Sequence, residues 1–306
     1  MKSATSFIPG YLKLHHAGQL DERVKAAVER LSHCDLCAQN CRVDRRAGEL
    51  GICRTADSAI VSSYGPHYGE EAVLVGSRGS GTIFFANCNL ACVFCQNYDI
   101  SAYGVGHSVS KVELAAVMLR LQKRGCPNIN LVSPSHVAAQ ILEALPIAAH
   151  GGLQIPLVYN SGGYDSLTTL KLLDGIVDIY MPDFKFADDK TGEELAGVPN
   201  YFTQAKAALK EMHRQVGDLI VDSSGLAQKG LLLRHLVMPG FLEDTYTVLK
   251  FVADEISRDT YINVMGQYQP AHRAHGHPKL GRPLSHQEYR KALKMAQAVG
   301  LHRFAR

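Results

Sequence analysis

Eight cysteines in a chain of 306 residues are the feature with the most chemistry in it, and seven of them fall into two groups. The tighter group is Cys88-x3-Cys92-x2-Cys95. Thiolates this close can wrap one small metal centre, because a short loop points several sulfurs inward. Iron–sulfur cubanes take cysteine thiolates, normally one per iron. Three cysteines therefore leave one iron without a protein ligand, and an open coordination position is what a catalytic metal needs. Spacing alone also admits a zinc site completed by a distant histidine, or a Cys-rich strand end. The second group, Cys34-x2-Cys37-x3-Cys41-x11-Cys53, offers four thiolates and so a closed, tetrahedral site, with Arg42, Arg45 and Arg46 near enough to lower thiol pKa values. Zinc would staple a loop too poor in apolar residues to fold unaided. An auxiliary iron–sulfur cluster, the alternative, would relay electrons. Cys126 stands alone in Gly-Cys-Pro-Asn and reads as a packing residue.

These groups need elements to hold them. Residues 21–31 read as a short amphipathic helix and 60–64 as a strand. A Gly-rich turn at 76–81 lacks the strand-before, helix-after setting of a phosphate loop. Six apolar strand candidates follow, at 82–86, 128–132, 155–159, 176–180, 231–238 and 261–265. Helical segments at 111–124, 136–145, 164–173, 203–215 and 243–257 alternate with them, and a last helix covers 286–299. Ser110-x2-Glu113 and Ser285-x2-Glu288 are capping boxes that start two of these helices. Strands alternating with helices predict parallel pairing through right-handed crossovers. The working residues then belong at the carboxyl ends of the strands. The expected fold is α/β, and six repeats fit either a doubly wound sheet or a partial (β/α)6 TIM-like barrel, with a small N-terminal Cys-rich metal-binding extension.

Composition removes several functions. Charged residues make up 20% of the chain and the formal net charge is only +3, so electrostatics gives no reason to expect nucleic-acid binding. No run approaches the ~18 apolar residues of a membrane span, and MKSATSFIPGYLKLHH is no signal peptide. A cytoplasmic protein is expected, where disulfides are rare and clustered thiols serve metals. His272, His275 and His277 read as part of a solvated loop with metal chelation as the alternative, and His136 as a structural histidine with a base role as the alternative.

The segment CNLACVFCQN resembles the radical S-adenosylmethionine (radical SAM) superfamily motif, including the aromatic residue before its last cysteine. With NINLVSPSH, VYNSGGYDS, VDIYMPDFKF, RHLVMPG and YINVMGQYQPA, the likeness runs from about Gly81 to Tyr268 and is nearest to the PflX-like branch of pyruvate formate-lyase-activating-enzyme relatives. The resemblance implies a barrel over 81–268, between a Cys-rich region at 1–80 and a C-terminal loop and helix at 269–306. It implies a 4Fe–4S cluster on Cys88, Cys92 and Cys95 whose remaining iron is chelated by S-adenosylmethionine. Reductive cleavage of that cofactor would give methionine and a 5′-deoxyadenosyl radical, which abstracts hydrogen from a protein glycine or a small molecule. Phe94, Gln96, Ser133, Asn160, Asp183, Lys185, Arg234 and Gln267 are the implied cofactor contacts. Ser133-Pro-Ser135-His136 stands where many relatives have Gly-Gly-Glu, so the hydroxyls of Ser133 and Ser135 and the strand-end carbonyls take over its acceptor role in this reading. An electron donor such as flavodoxin or ferredoxin, and a glycyl-radical-type protein substrate, follow as implied partners. A non-catalytic iron–sulfur or zinc protein for electron transfer or assembly also accounts for the cysteines, but not for polar residues gathering at the strand ends.

Overall fold

The computed structural model describes residues 7–305. Nine strands form one sheet: β1 (Ala59–His67), β2 (Ser80–Phe85), β3 (His107–Val109), β4 (Ile129–Val132), β5 (Leu157–Asn160), β6 (Ile179–Tyr180), β7 (Ile220–Val221), β8 (Ala227–Leu236) and β9 (Tyr261–Met265). Eleven α-helices accompany them: α1 (Gly10–His16), α2 (Leu20–Glu29), α3 (Ala72–Val75), α4 (Tyr98–Ser101), α5 (Lys111–Lys123), α6 (Ala138–His150), α7 (Leu167–Leu172), α8 (Asp189–Ala196), α9 (Tyr201–Val216), α10 (Leu242–Phe251) and α11 (His286–Ala298). The pairs β2–β4, β4–β5, β5–β6, β6–β8 and β8–β9 are all parallel. These are the six expected strands in their expected order. Antiparallel β1 covers the outer edge of β2, so the barrel is partial rather than closed.

Both capping boxes are formed. Ser110 Oγ accepts from Glu113 N at 3.2 Å while Ser110 N donates to the Glu113 carboxylate at 2.8 Å. The same exchange joins Ser285 and Glu288 at 3.2 and 3.1 Å. Two strands differ from their expected spans for local reasons. Ile176 and Val177 donate backbone N–H groups to Leu173 O and finish the end of α7, which leaves only two residues for β6. β8 starts four residues early because it also pairs with antiparallel β7. α1 was not expected. Pro9 stands at its N-cap position in extended backbone, with φ −52° and ψ 144°, and makes no side-chain cap bond. Gly10 N donates to Asp178 Oδ1 at 2.8 Å, and a Cβ at Gly10 would lie 2.3 Å from Gly175 O.

The region before residue 80 is not set apart from the barrel. Tyr11, Leu20, Leu31, Leu36 and Val61 share one buried core with Ile83, Leu131, Leu142 and Tyr159. A second core joins the outward residues of β8 and β9 to α8–α11. Alternation along the strands sends every other residue into the barrel. Val158, Ile179 and Leu232 meet there with Leu74 in an apolar layer, while Asn130, Arg234 and Asn263 bring polar groups to the interior. No helix among the described residues is long and apolar enough to cross a membrane.

Candidate active site

A cavity of about 380 Å³ opens at the carboxyl ends of the parallel strands. That lies within the ~300–1,000 Å³ range of cofactor pockets. Cys88, Cys92 and Cys95 line it, with Ser133, Asn160, Asp183, Lys185 and Arg234. Eight positions singled out in the sequence, from five strand ends, thus face one space. Four other expected contacts, Phe94, Gln96, Gln267 and Ser135, do not line it. Phe94 is buried and meets Phe186 edge-on at 6.0 Å, because the loop turns its aromatic ring into the core. Gln96 and Gln267 are exposed. Ser135 is buried and donates to Asp165 Oδ1 at 2.6 Å, so its hydroxyl is spent inside the fold. His136 is buried too, with Nε2 3.1 Å from Ala86 O; burial pushes it down to about 4, so it stays neutral at ordinary pH.

The triad loop is clamped on several sides. Ala91 N and Val93 N donate to Ala196 O and Leu195 O of α8, both at 2.9 Å. Arg273 N donates to Val93 O at 2.9 Å and its guanidinium to Ala91 O at 3.0 Å. Asn89 donates to Tyr164 O at 2.7 Å and its own carbonyl accepts from Gln39 at 2.7 Å. Burial pushes the Cys88 and Cys92 thiols up to about 11 and about 12, and the Lys185 ammonium partly offsets this at both. A Cys95 Sγ–Ser101 Oγ contact of 3.1 Å holds the third sulfur.

Opposite the sulfurs lies an ion-paired set. Lys185 Nζ donates to Asp183 Oδ2 at 2.5 Å and Arg234 Nε to Asp183 Oδ1 at 2.8 Å. Burial alone would raise the Asp183 carboxyl, but the two cations hold it down at about 2. Arg234 Nη2 also donates to Asn160 Oδ1 at 2.8 Å, and Nη1 reaches Glu70 Oε2 at 3.5 Å. The backbone here admits only close approach. A Cβ on Gly163, whose φ is +80°, would lie 2.3 Å from Asp183 O. Six non-glycine residues adopt positive φ among those described: Asn40, Arg42, Arg54, Asn87, Ser133 and His272. Arg54, Ser133 and His272 line the cavity, Asn87 precedes Cys88, and Asn40 and Arg42 flank Cys41. Such strain persists where surrounding structure over-determines it, and it gathers at functional sites.

Sequence reading missed Gln39, Arg54, His272 and Arg273, all of which line the cavity from distant segments. His272 is not simply solvated, since its ring stacks on Tyr98 at 5.2 Å. It also missed Glu70 and Glu71, which accept from Asn130 and Asn263 at 3.0 and 2.8 Å inside the barrel. The one available signal was an asparagine interrupting each of the apolar strands NINLV and YINVM at an inward position.

Among the described residues no three His, Cys, Asp or Glu side chains are set to hold a single metal ion. A cubane makes a different demand, since its thiolates bind separate irons at separate corners. Three thiols facing one cavity fit that demand, and their number leaves an iron open.

No protein-family model matches the chain. It is 33% identical over 290 residues to a Methanocaldococcus jannaschii protein described as uncharacterized protein MJ0674, covering 92% of this chain and 79% of that one. Among solved structures, a radical SAM methyltransferase from Sphaerobacter thermophilus is similar with a TM-score of 0.50 and 14% identity, over 74% of this chain and 66% of that one. Streptococcus suis SuiB bound to S-adenosylmethionine aligns at a TM-score of 0.48 and 13% identity, over 69% of this chain and 44% of SuiB. The chain therefore belongs to one family with the Methanocaldococcus jannaschii protein, and its open barrel has the radical SAM fold.

Proposed function

We propose that the cavity is the active site of a radical SAM enzyme. One observation carries this reading: three thiols, one short of closing a cubane, face the Asp183–Lys185–Arg234 set across a single cavity at the strand ends. Cys88, Cys92 and Cys95 would hold a 4Fe–4S cluster, which with bound S-adenosylmethionine would supply the reductive formation of a 5′-deoxyadenosyl radical. The chain's own residues bind, orient and exclude water. Lys185 sets a positive charge near Cys92, which favours thiolate there. Arg234 holds the Asn160 carbonyl oxygen, leaving the amide NH2 without a protein partner among the described residues and free to bind a cofactor acceptor. Ser133 N is already bonded to Asn160 O at 2.9 Å, so this backbone N–H is not a group left to recognise the cofactor. Phe84, Leu90 and Val132 wall the cavity and keep water from a reactive species. The substrate gives up a hydrogen atom, from a protein glycine as in the activating enzymes this chain resembles, or from a small molecule. A flavodoxin or ferredoxin would provide the electron.

The test is anaerobic reconstitution with iron and sulfide, then dithionite and S-adenosylmethionine, with 5′-deoxyadenosine as the product measured. Its formation is the expected outcome. A fully loaded, reduced cluster that leaves the cofactor intact overturns the proposal.

A further inference from the structure

Arg45 is 1% exposed, and its charge has no visible counterpart. Nε donates to Ala56 O at 2.8 Å and Nη1 to His136 O at 2.7 Å, while Nη2 is buried with no partner. No carboxylate pairs with it among the described residues. A guanidinium does not shed its proton inside a protein, and an unpaired buried charge costs several kcal/mol. The group that Arg45 does face is sulfur: Nη1 lies 3.8 Å from Cys34 Sγ. Cys34, Cys37 and Cys53 are buried and Cys41 is half-buried, all four as free thiols. One tight loop gathers them: Arg42 N donates to Cys34 O at 2.9 Å and Asn40 N to Cys37 O at 3.1 Å, on either side of Cys41. An ordinary cysteine thiol is uncharged at neutral pH, so four free thiols offer Arg45 no anion. Metal coordination does, because a bound thiol is deprotonated outright.

We propose that Cys34, Cys37, Cys41 and Cys53 hold a closed, dianionic metal–thiolate centre whose counter-ion is Arg45. With zinc, one divalent ion displaces four thiol protons and leaves a centre of net charge −2. A 4Fe–4S cluster on four thiolates in its oxidised resting state carries the same charge. The loop has other marks of a metal site. Ile52 N donates to Cys41 Sγ at 3.5 Å. Gly51 admits no side chain, since a Cβ would sit 2.8 Å from that sulfur. Asn40 and Arg42 hold left-handed backbone, at φ 49° and 62°, on either side of Cys41. Among the described residues no three of these sulfurs are yet set around one ion, so loading includes a closing in of the loop. The centre also borders the cavity. Cys37 forms an isolated β-bridge with Asp165, and Gln39 bonds the triad loop.

This inference does not rest on the radical reading, and its test separates them. A chain with Cys88, Cys92 and Cys95 all changed to Ala cannot carry the first cluster. Anaerobically purified, it should retain about one zinc, or about four irons with four sulfides, per chain; sulfide analysis tells the two apart. Adding Cys41→Ser should remove that metal. Arg45→Met should weaken retention against a chelator by at least about tenfold, with Arg45→Lys recovering part of it. A metal-free chain whose four thiols react in the native state overturns the centre. Unchanged affinity in Arg45→Met overturns the counter-ion. If Arg45→Met does not fold, metal content with Arg45 intact still decides whether the centre exists.

Discussion

The two cysteine groups differ in what surrounds the sulfur, and the proposed reactive and structural roles follow that difference. Cys88, Cys92 and Cys95 are partly open to a cavity, with Lys185 as the nearby cation and Asp183 and Arg234 behind it. Three of the other four are buried, their cation is the sealed Arg45, and their loop holds the wall of that cavity in place. Thiol number differs with exposure: three half-buried sulfurs line a cavity with room for a ligand, while in the group of four only Cys41 is not fully buried. A centre of the first kind does chemistry on what enters. One of the second kind holds a loop that has few apolar residues to hold itself.

The largest effect should come from Cys92→Ala. It is expected to abolish both the iron–sulfur absorption and 5′-deoxyadenosine formation, and retention of both would show that the reactive triad lies elsewhere. Cys37→Ala should invert the result. The first cluster still forms, while stability against urea falls by about 4 kcal/mol or more, the size that marks a lost metal; an unchanged urea midpoint would erase the contrast between the groups. Asp183→Asn tests the cavity's ion pairs through pH. Because its carboxyl is held down at about 2 in the folded chain, Asp183 stabilises above its unfolded value near ~3.9. That contribution, about 2 kcal/mol, disappears as pH falls from ~4 towards ~2. The variant should therefore be less stable than the parent at pH 7 and equal to it near pH 2, as read from denaturant midpoints. Cys126→Ala gives the baseline for a cysteine outside both groups: Cys126 is 2% exposed in the core, and the change should cost only ~1 kcal/mol with metal content untouched.

Much of the architecture was legible because it is written locally. Capping boxes lie within four residues, strand alternation within two, and the cysteine spacings within twenty. Six strands separated by helices leave few topologies, and the observed parallel order is the expected one. Phe94, Gln96 and Gln267 were less readable. Being next to a motif does not decide which way a side chain turns, and core packing turned Phe94 inward.

The polar interior was out of reach for another reason. Asn130 bonds Glu70 across 60 residues of chain, and Asn263 bonds Glu71 across 192. The sequence by itself determined the thiol spacings, the strand order and hence the end of the barrel where chemistry belongs, because those follow from neighbours along the chain. Only the tertiary structure decided that Arg45 is sealed against the N-terminal cysteines and that Arg54, His272 and Arg273 rim the cavity. Burial and long-range contact are properties of the folded chain, and no local pattern encodes them.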